Sequence, residues 1–170
     1  MEAVGHVRSL NVSKRKGGRK TPVAEGVVQV VAQQGLAHDA HAGDWHRQVS
    51  LLAWESVQKA QAMGLNVKEG DFAENITTEG VDLLQFPLGT RLRIGNQVLL
   101  ELSQIGKVCH TKCAIYHLAG DCIFPREGVF FVVLESGEIR VGDGIYVEKL
   151  GEGVCAFTPQ EALDELAAQR

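Results

Sequence analysis

The stretch "GKVCHTKCAIYHLAGDC", Gly106 to Cys122, holds three of the chain's four cysteines and two of its six histidines. Thiols and imidazoles this close together suit a metal knuckle, a disulfide framework, a haem attachment or a reactive thiol. Haem attachment uses Cys-x-x-Cys-His, whereas residues 109–113 run Cys-His-x-x-Cys, the wrong order. A four-thiolate zinc site pairs close cysteines twice; here Cys122 follows alone and Cys155 is distant. A redox Cys-x-x-Cys is absent, and a three-cysteine iron–sulfur motif needs a closer third ligand. Two readings stay open. One is a structural zinc site with His110 or His117 as fourth ligand, and the other is a nucleophilic or metal-ligating thiol.

The thiol reading has a local basis. Lys107, His110 and Lys112 flank Cys109, and neighbouring cations favour the thiolate, the form that attacks and binds metals. In an extended strand Lys107, Cys109, Thr111 and Cys113 share a face; in a helix Cys109 and Cys113 are i, i+4 neighbours. Cys109 is thus the first candidate for the catalytic thiol and Cys113 the second. On a strand their Cα atoms would lie about 13 Å apart, too far to bridge. Cys155, beside Ala156 and Phe157, reads as a small buried hydrophobe, and Cys122 is left unassigned.

The rest of the chain must position that thiol. Its 170 residues make one domain's worth, enough for a core without disulfide staples. A formal charge of -4 argues against generic nucleic-acid binding, which needs a basic surplus. No apolar run approaches the ~18 residues of a membrane span, and no signal peptide is evident. The expectation is a cytoplasmic protein whose clustered cysteines are reduced, and so bind metal or do chemistry.

Short strands and Gly-rich turns dominate the reading. "TPVAEGVVQVVAQQGL" (Thr21 to Leu36) predicts a strand running into a turn. Before it, "KRKGGRK" (Lys14 to Lys20) gathers five positive charges around two glycines, either a solvated loop or an anion cradle. The spacing of Val49, Leu52, Ala53, Val57 and Ala60 predicts an amphipathic helix over "RQVSLLAWESVQKAQAMG", stopped by Gly64. "GTRLRIGNQVLLEL" (Gly89 to Leu102) and "GEIRVGDGIYVEKL" (Gly137 to Leu150) look like two copies of one unit, each predicted to be a hairpin turning at Gly-Asn or Gly-Asp. The tail "TPQEALDELAAQR" carries a capping box at Thr158 and Glu161, with Pro159 at the first helical position. The predicted architecture is mainly β, a barrel or sandwich with a few flanking helices and a single domain over 1–170.

The stretches "GLAHDAHAGDWHRQVSL", "GDFAENITTEGVDL", "PLGTRLRIGNQVLLELSQIGKVC" and "REGVFFVVLESGEIRVGDGI" together resemble the MOSC-domain family, named for the C-terminal domain of molybdenum cofactor sulfurases. They occur in the family's order. The resemblance implies a β-barrel-like fold, its core over about 20–150, to which the capping box of the tail adds a C-terminal helix over 158–169. It implies one important cysteine, which maps onto Cys109 and would also be the molybdenum ligand. It further implies binding of the molybdenum cofactor (Mo-molybdopterin), with sulfur carried or accepted on the thiol. In amidoxime-reducing relatives the cysteine holds molybdenum, so a small reductase of N-hydroxylated compounds is the alternative, beside a non-catalytic storage or delivery module. The sulfurases also carry a pyridoxal-phosphate desulfurase domain that these residues cannot form. A cysteine desulfurase or molybdoenzyme would therefore act in trans.

Residue chemistry supplies the remaining candidates. A pterin phosphate needs Arg or Lys, and Lys14, Lys20 and Arg47 are placed by charge to hold it. Arg47 follows "HDAHAGDWH", where Asp39, His41, Asp44 and His46 either bind a ligand or cap the next element. Glu74 and Asn75 either hydrogen-bond the pterin edge or structure the turn before Ile76. Stoichiometric zinc would instead indicate a zinc-stapled interaction domain.

Overall fold

Alternating apolar residues in seven of the chain's strands fill the inside of a closed barrel. The computed structural model describes residues 2–16, 18–106 and 127–153. All four cysteines, together with Lys107, His110, Lys112 and His117, lie outside the described residues, as does the predicted helix over 158–169.

The strands are β1 (Gly5–Val12), β2 (Thr21–Pro22), β3 (Val27–Val31), β4 (Gly35–Leu36), β5 (Val49–Ala53), β6 (Ile76–Glu79), β7 (Arg91–Ile94), β8 (Val98–Ile105), β9 (Val129–Glu135), β10 (Gly137–Arg140) and β11 (Gly144–Lys149). The barrel order is β11-β7-β8-β9-β5-β6-β1, and β1 pairs with β11 to close it. Closure leaves no unpaired barrel edge for another chain to extend. β2 continues beyond β1, and β10, β3 and β4 form a separate three-stranded sheet. Val7, Leu10, Leu51, Leu92, Leu100, Phe131 and Ile145 are among the fully buried side chains of the core.

The first Gly-x-Arg unit is a hairpin: Ile94 faces Val98 across a three-residue turn that Gly95 opens at φ 64°. The second unit corrects the expectation. Its halves are strands, but β10 pairs with β3 while β11 pairs with β7 and β1, so the two do not form a hairpin. The reason lies at the corner between them. Gly142 donates its N–H to the Val7 carbonyl and Val7 donates to the Asp143 carbonyl, so this turn bonds to β1. The chain thereby passes from the small sheet into the barrel.

The predicted helix over 47–64 is also corrected. Its first part is strand β5, and the helix α1 covers only Trp54–Ala62, with Gly64 following at φ 93°. Val49 and Leu51 point into the main core, while Leu52 packs outward against Val57, Ala60, Phe72 and Phe130. A strand covered by a helix is apolar on both faces, and over so few residues that pattern mimics helical spacing. α1 then serves as the crossover that lets β5 and β6 run parallel.

Candidate functional site

The site grows from the segment between β4 and β5, whose short polar residues cannot sustain a strand and instead wind over one end of the barrel. Trp45 is its hub. The ring of His41 stacks on it at 6.3 Å between centroids, and that of His46 meets it edge-on at 6.0 Å. The Arg47 guanidinium lies 5.3 Å from the Trp45 ring centre and the Lys16 ammonium 5.7 Å, both within cation–π range. Arg47 also lies 5.8 Å from the Phe130 ring. The indole N–H of Trp45 donates to the His41 carbonyl at 2.8 Å, which fixes the plane of the ring.

One side of this hub reaches the strand that leads to the cysteines. Gln104 donates its amide N–H to the Gly106 carbonyl at 2.7 Å, so its Oε1 faces the Nε2 of His46 at 2.8 Å. Ser103 donates to the His46 carbonyl and, at 3.1 Å, to that of Phe130. Gly106 is held to β9 by its N–H to the Gly128 carbonyl at 2.7 Å.

The other side is a buried ion pair. Lys20 Nζ donates to Asp39 Oδ1 at 2.8 Å and to Ser13 Oγ at 3.1 Å, and lies 3.0 Å from His41 Nδ1. The two charged side chains are 1% and 0% exposed. Burial alone would raise the Asp39 carboxyl. The bonds from Lys20 and Asn75, the Lys20 charge and the Ser13 N–H outweigh it and hold the group below the usual aspartate value.

Beneath lies the Gly70–Asn75 turn. Gly70 sits at φ 85°, and a Cβ there would come within 2.3 Å of the Lys20 carbonyl oxygen. Asn75 accepts the N–H of Ser50 at 3.0 Å and donates to the Asn11 carbonyl at 3.3 Å. Glu74 is wholly buried; its Oε2 accepts from Thr77 Oγ1 at 2.8 Å, while Oε1 has no hydrogen-bond partner. Burial pushes its carboxyl up to about 7, against smaller opposing effects of Thr77 and nearby backbone N–H groups.

Of the sequence candidates, His41 and Arg47 meet at Trp45, Lys20 joins them through His41, and Asn75 stands in the turn beneath, bonded to Ser50 and Asn11. Glu74 lies deeper, in the turn that supports them, and Lys14 is exposed in the basic loop. Lys16, Trp45 and Gln104 were not singled out by sequence reasoning. The aromatic residue inside "HDAHAGDWH" was the signal for Trp45; nothing local marked Gln104. No cluster of three or more metal-ligating side chains occurs among the described residues.

A family model described as the MOSC domain matches residues 38–146, well over half of the chain. The chain belongs to the MOSC domain family. A crystal structure of YiiM from Geobacillus stearothermophilus resembles this MOSC domain at 26% identity and a TM-score of 0.68, over 89% of this chain and 78% of that one. The YuaD protein from Bacillus subtilis is similar in fold at 16% identity and a TM-score of 0.68, over 83% and 93% of the two chains. YiiM from Escherichia coli is similar in fold at 17% identity and a TM-score of 0.63, over 95% and 75%. No curated protein matches this MOSC domain. The family is linked to molybdenum cofactor binding. No helix among the described residues is long and apolar enough to cross a membrane.

Proposed function

We propose that this MOSC domain binds Mo-molybdopterin and either carries sulfur or ligates molybdenum through Cys109. The observation that carries the reading is the Trp45 cluster. A flat ring flanked by Lys16, Arg47, His41 and His46 is tied through Gln104 to Gly106, three residues before Cys109 in the chain. The donor set fits the cofactor: an indole face suits a pterin, and Arg and Lys suit its phosphate. When bound, the cofactor supplies a thiophilic metal centre for redox or sulfur chemistry.

The chain's own residues divide the work. Arg47 and Lys16 supply positive charge for the phosphate, and Trp45 offers a rigid face. His41 supplies a polar contact, and Asn75, bonded to Ser50 and Asn11, braces the site from beneath. Glu74 and Gly70 shape the turn on which Asn75 stands. For sulfur transfer, the Cys109 thiolate attacks the outer sulfur of a persulfide on a cysteine desulfurase acting in trans. The donor's S–S bond breaks, a new one forms on Cys109, and the donor departs as a thiolate. A cytoplasmic setting and a molybdoenzyme as acceptor belong to the same proposal.

Two measurements test it. Protein produced in cells making molybdopterin should retain about one molybdenum per chain, and incubation with a desulfurase should add about 32 Da, the mass of one sulfur, to Cys109. Stoichiometric zinc with no molybdenum would overturn the reading in favour of a zinc-stapled domain. Molybdenum retention unchanged in Cys109→Ser, with no persulfide in the wild type, would make the domain a container with Cys113 the next thiol to examine.

A further inference from the structure

We infer that a buried clasp of Lys20, Asp39 and Ser13 sets the place of the basic loop over Trp45, so that Lys20 and Asp39 are positioning residues and Lys16 is the cation they deliver. This deepens the cofactor reading and rests on it only for the phosphate that Lys16 and Arg47 would receive.

The loop is closed at its base. β1 and β2 pair as far as Val12 and Thr21, which leaves residues 13–20 to turn between them. One carboxylate oxygen, Asp39 Oδ1, accepts from both ends of that turn: from the Ser13 N–H at 3.0 Å and from the Lys20 ammonium at 2.8 Å. Lys20 also donates to Ser13 Oγ at 3.1 Å, and Ser13 sends its own hydroxyl proton to the Arg15 carbonyl at 3.0 Å. The backbone adds to the link. Ala40 donates to the Ser13 carbonyl at 2.8 Å, and the Lys20 N–H to the Gly70 carbonyl at 2.8 Å. Above this base Lys14, Arg15, Lys16 and Arg19 are exposed, whereas the Lys20 and Asp39 side chains are 1% and 0% exposed. Lys20 is thus withdrawn from any ligand that the other four cations could meet.

Asp39 belongs to the second element that reaches the indole. It stands in the segment between β4 and β5 that also carries Trp45 and Arg47. The clasp therefore joins the loop that supplies Lys16 to the segment that supplies the ring. Lys16 and Arg47 arrive from these two elements at 5.7 and 5.3 Å from the ring centre. Like charges drawn to one ring repel, and an exposed loop gains conformational entropy by leaving it. A cation–π contact at an exposed site is too weak to hold the loop alone. The buried pair is the stronger tie. As a source of stability it is poorly suited, since well-packed apolar residues of similar volume often serve as well or better. Apolar residues have no direction, however. An ammonium bonded to one carboxylate oxygen and one hydroxyl fixes the register of the two segments, and that register places Lys16.

The test uses the full chain labelled with 5-fluorotryptophan, whose two tryptophans give two 19F resonances, assigned with Trp45→Phe. Lys20→Met/Asp39→Asn removes the ion pair without stranding a charge. Without ligand, Lys16→Ala should move the Trp45 resonance of the wild type but not that of the double variant, where Lys16 has already left the ring. Inorganic pyrophosphate should also move the wild-type Trp45 resonance. The concentration at half-shift should rise about tenfold in the double variant, as for a loop that keeps its binding geometry about a tenth of the time. Adding Lys16→Ala should weaken pyrophosphate binding in the wild type and change little in the double variant. Equal Lys16→Ala effects in both backgrounds, or equal pyrophosphate affinity, would overturn the inference and leave the pair a purely structural one. If the double variant does not fold by circular dichroism, Ser13→Ala replaces it, keeping the ion pair and removing the hydroxyl between Lys20 and the Arg15 carbonyl. The same directions are expected there, and wild-type behaviour would overturn the inference. A wild-type Trp45 resonance that pyrophosphate leaves unmoved would instead overturn the phosphate reading, and the ligand-free comparison would still decide the clasp.

Discussion

Asp39 and Glu74 are both carboxylates taken out of water at one end of the same barrel, and their surroundings differ in one respect. Asp39 has a cation within 2.8 Å and two backbone N–H donors, those of Ser13 and His41. Glu74 has Thr77 on one oxygen and nothing on the other. Burial acts on both in the same direction, raising the carboxyl; only at Asp39 does a full set of partners reverse it. Depth therefore does not determine the charge of a buried acid; the number and sign of its partners do. The first region is built to stay charged and the second to give up its charge near neutrality.

The strongest way to break this contrast is to remove the cation. Lys20→Met leaves an ionised carboxylate buried without a counter-charge and should cost about 3–5 kcal/mol at pH 7, measured by urea unfolding. Adding Asp39→Asn should restore most of that loss. If the single variant costs under about 1 kcal/mol, the pair behaves as a solvent-screened one and the contrast fails.

The pH dependence of the two acids should run in opposite directions. The folded state holds the Glu74 proton up to about 7, whereas the unfolded chain releases it near 4.5. Between these values the native state binds more protons, so stability falls as pH rises, by on the order of 3 kcal/mol in all. Asp39, depressed below 3.8, contributes stability at higher pH that is lost as pH falls through its folded value. Glu74→Gln should abolish the decline between about pH 4.5 and 7 and gain roughly 1–3 kcal/mol at pH 8, read from unfolding curves against pH. A variant that keeps the wild-type slope would show that another group titrates there.

Gly70 is where the two regions touch, since a Cβ would meet the Lys20 carbonyl and the Asn11 side chain. Gly70→Ala should cost about 2 kcal/mol or more, combining a left-handed backbone with that collision. Arg47→Ala should have the smallest effect, at most about 1 kcal/mol of thermal stability, because a partly exposed cation–π contact is worth little. Its consequence should appear instead in retention of an anionic ligand.

These contrasts also mark how far the sequence could be read. The β7–β8 hairpin was legible because Gly95 and Asn96 make its turn from adjacent residues. The β10–β11 corner was not, since its partner is Val7, more than a hundred residues earlier. β5 was mistaken for helix because Leu52 is covered by α1, and that burial is tertiary. At the site, Lys20, His41 and Arg47 could be chosen by charge and type. The structure gives Lys20's charge a partner in Asp39, nineteen residues on, which composition does not reveal. The sequence leaves Glu74 and Asn75 between ligand contact and turn structure; their bonds to Thr77, Ser50 and Asn11 tie both side chains into the turn.

The pairing of β1 with β11 joins Gly5 to Ile145, strands from opposite ends of the described chain. A ribosome releases the first of these strands long before the second exists. Until then β1 has β6 on one side and an open row of backbone donors and acceptors on the other, opposite the place β11 will take. Contacts this distant in sequence close slowly, and an open edge invites pairing between nascent chains. The barrel is thus sealed only once β11 has been made, and chains halted before about residue 145 should be the aggregation-prone species in its production.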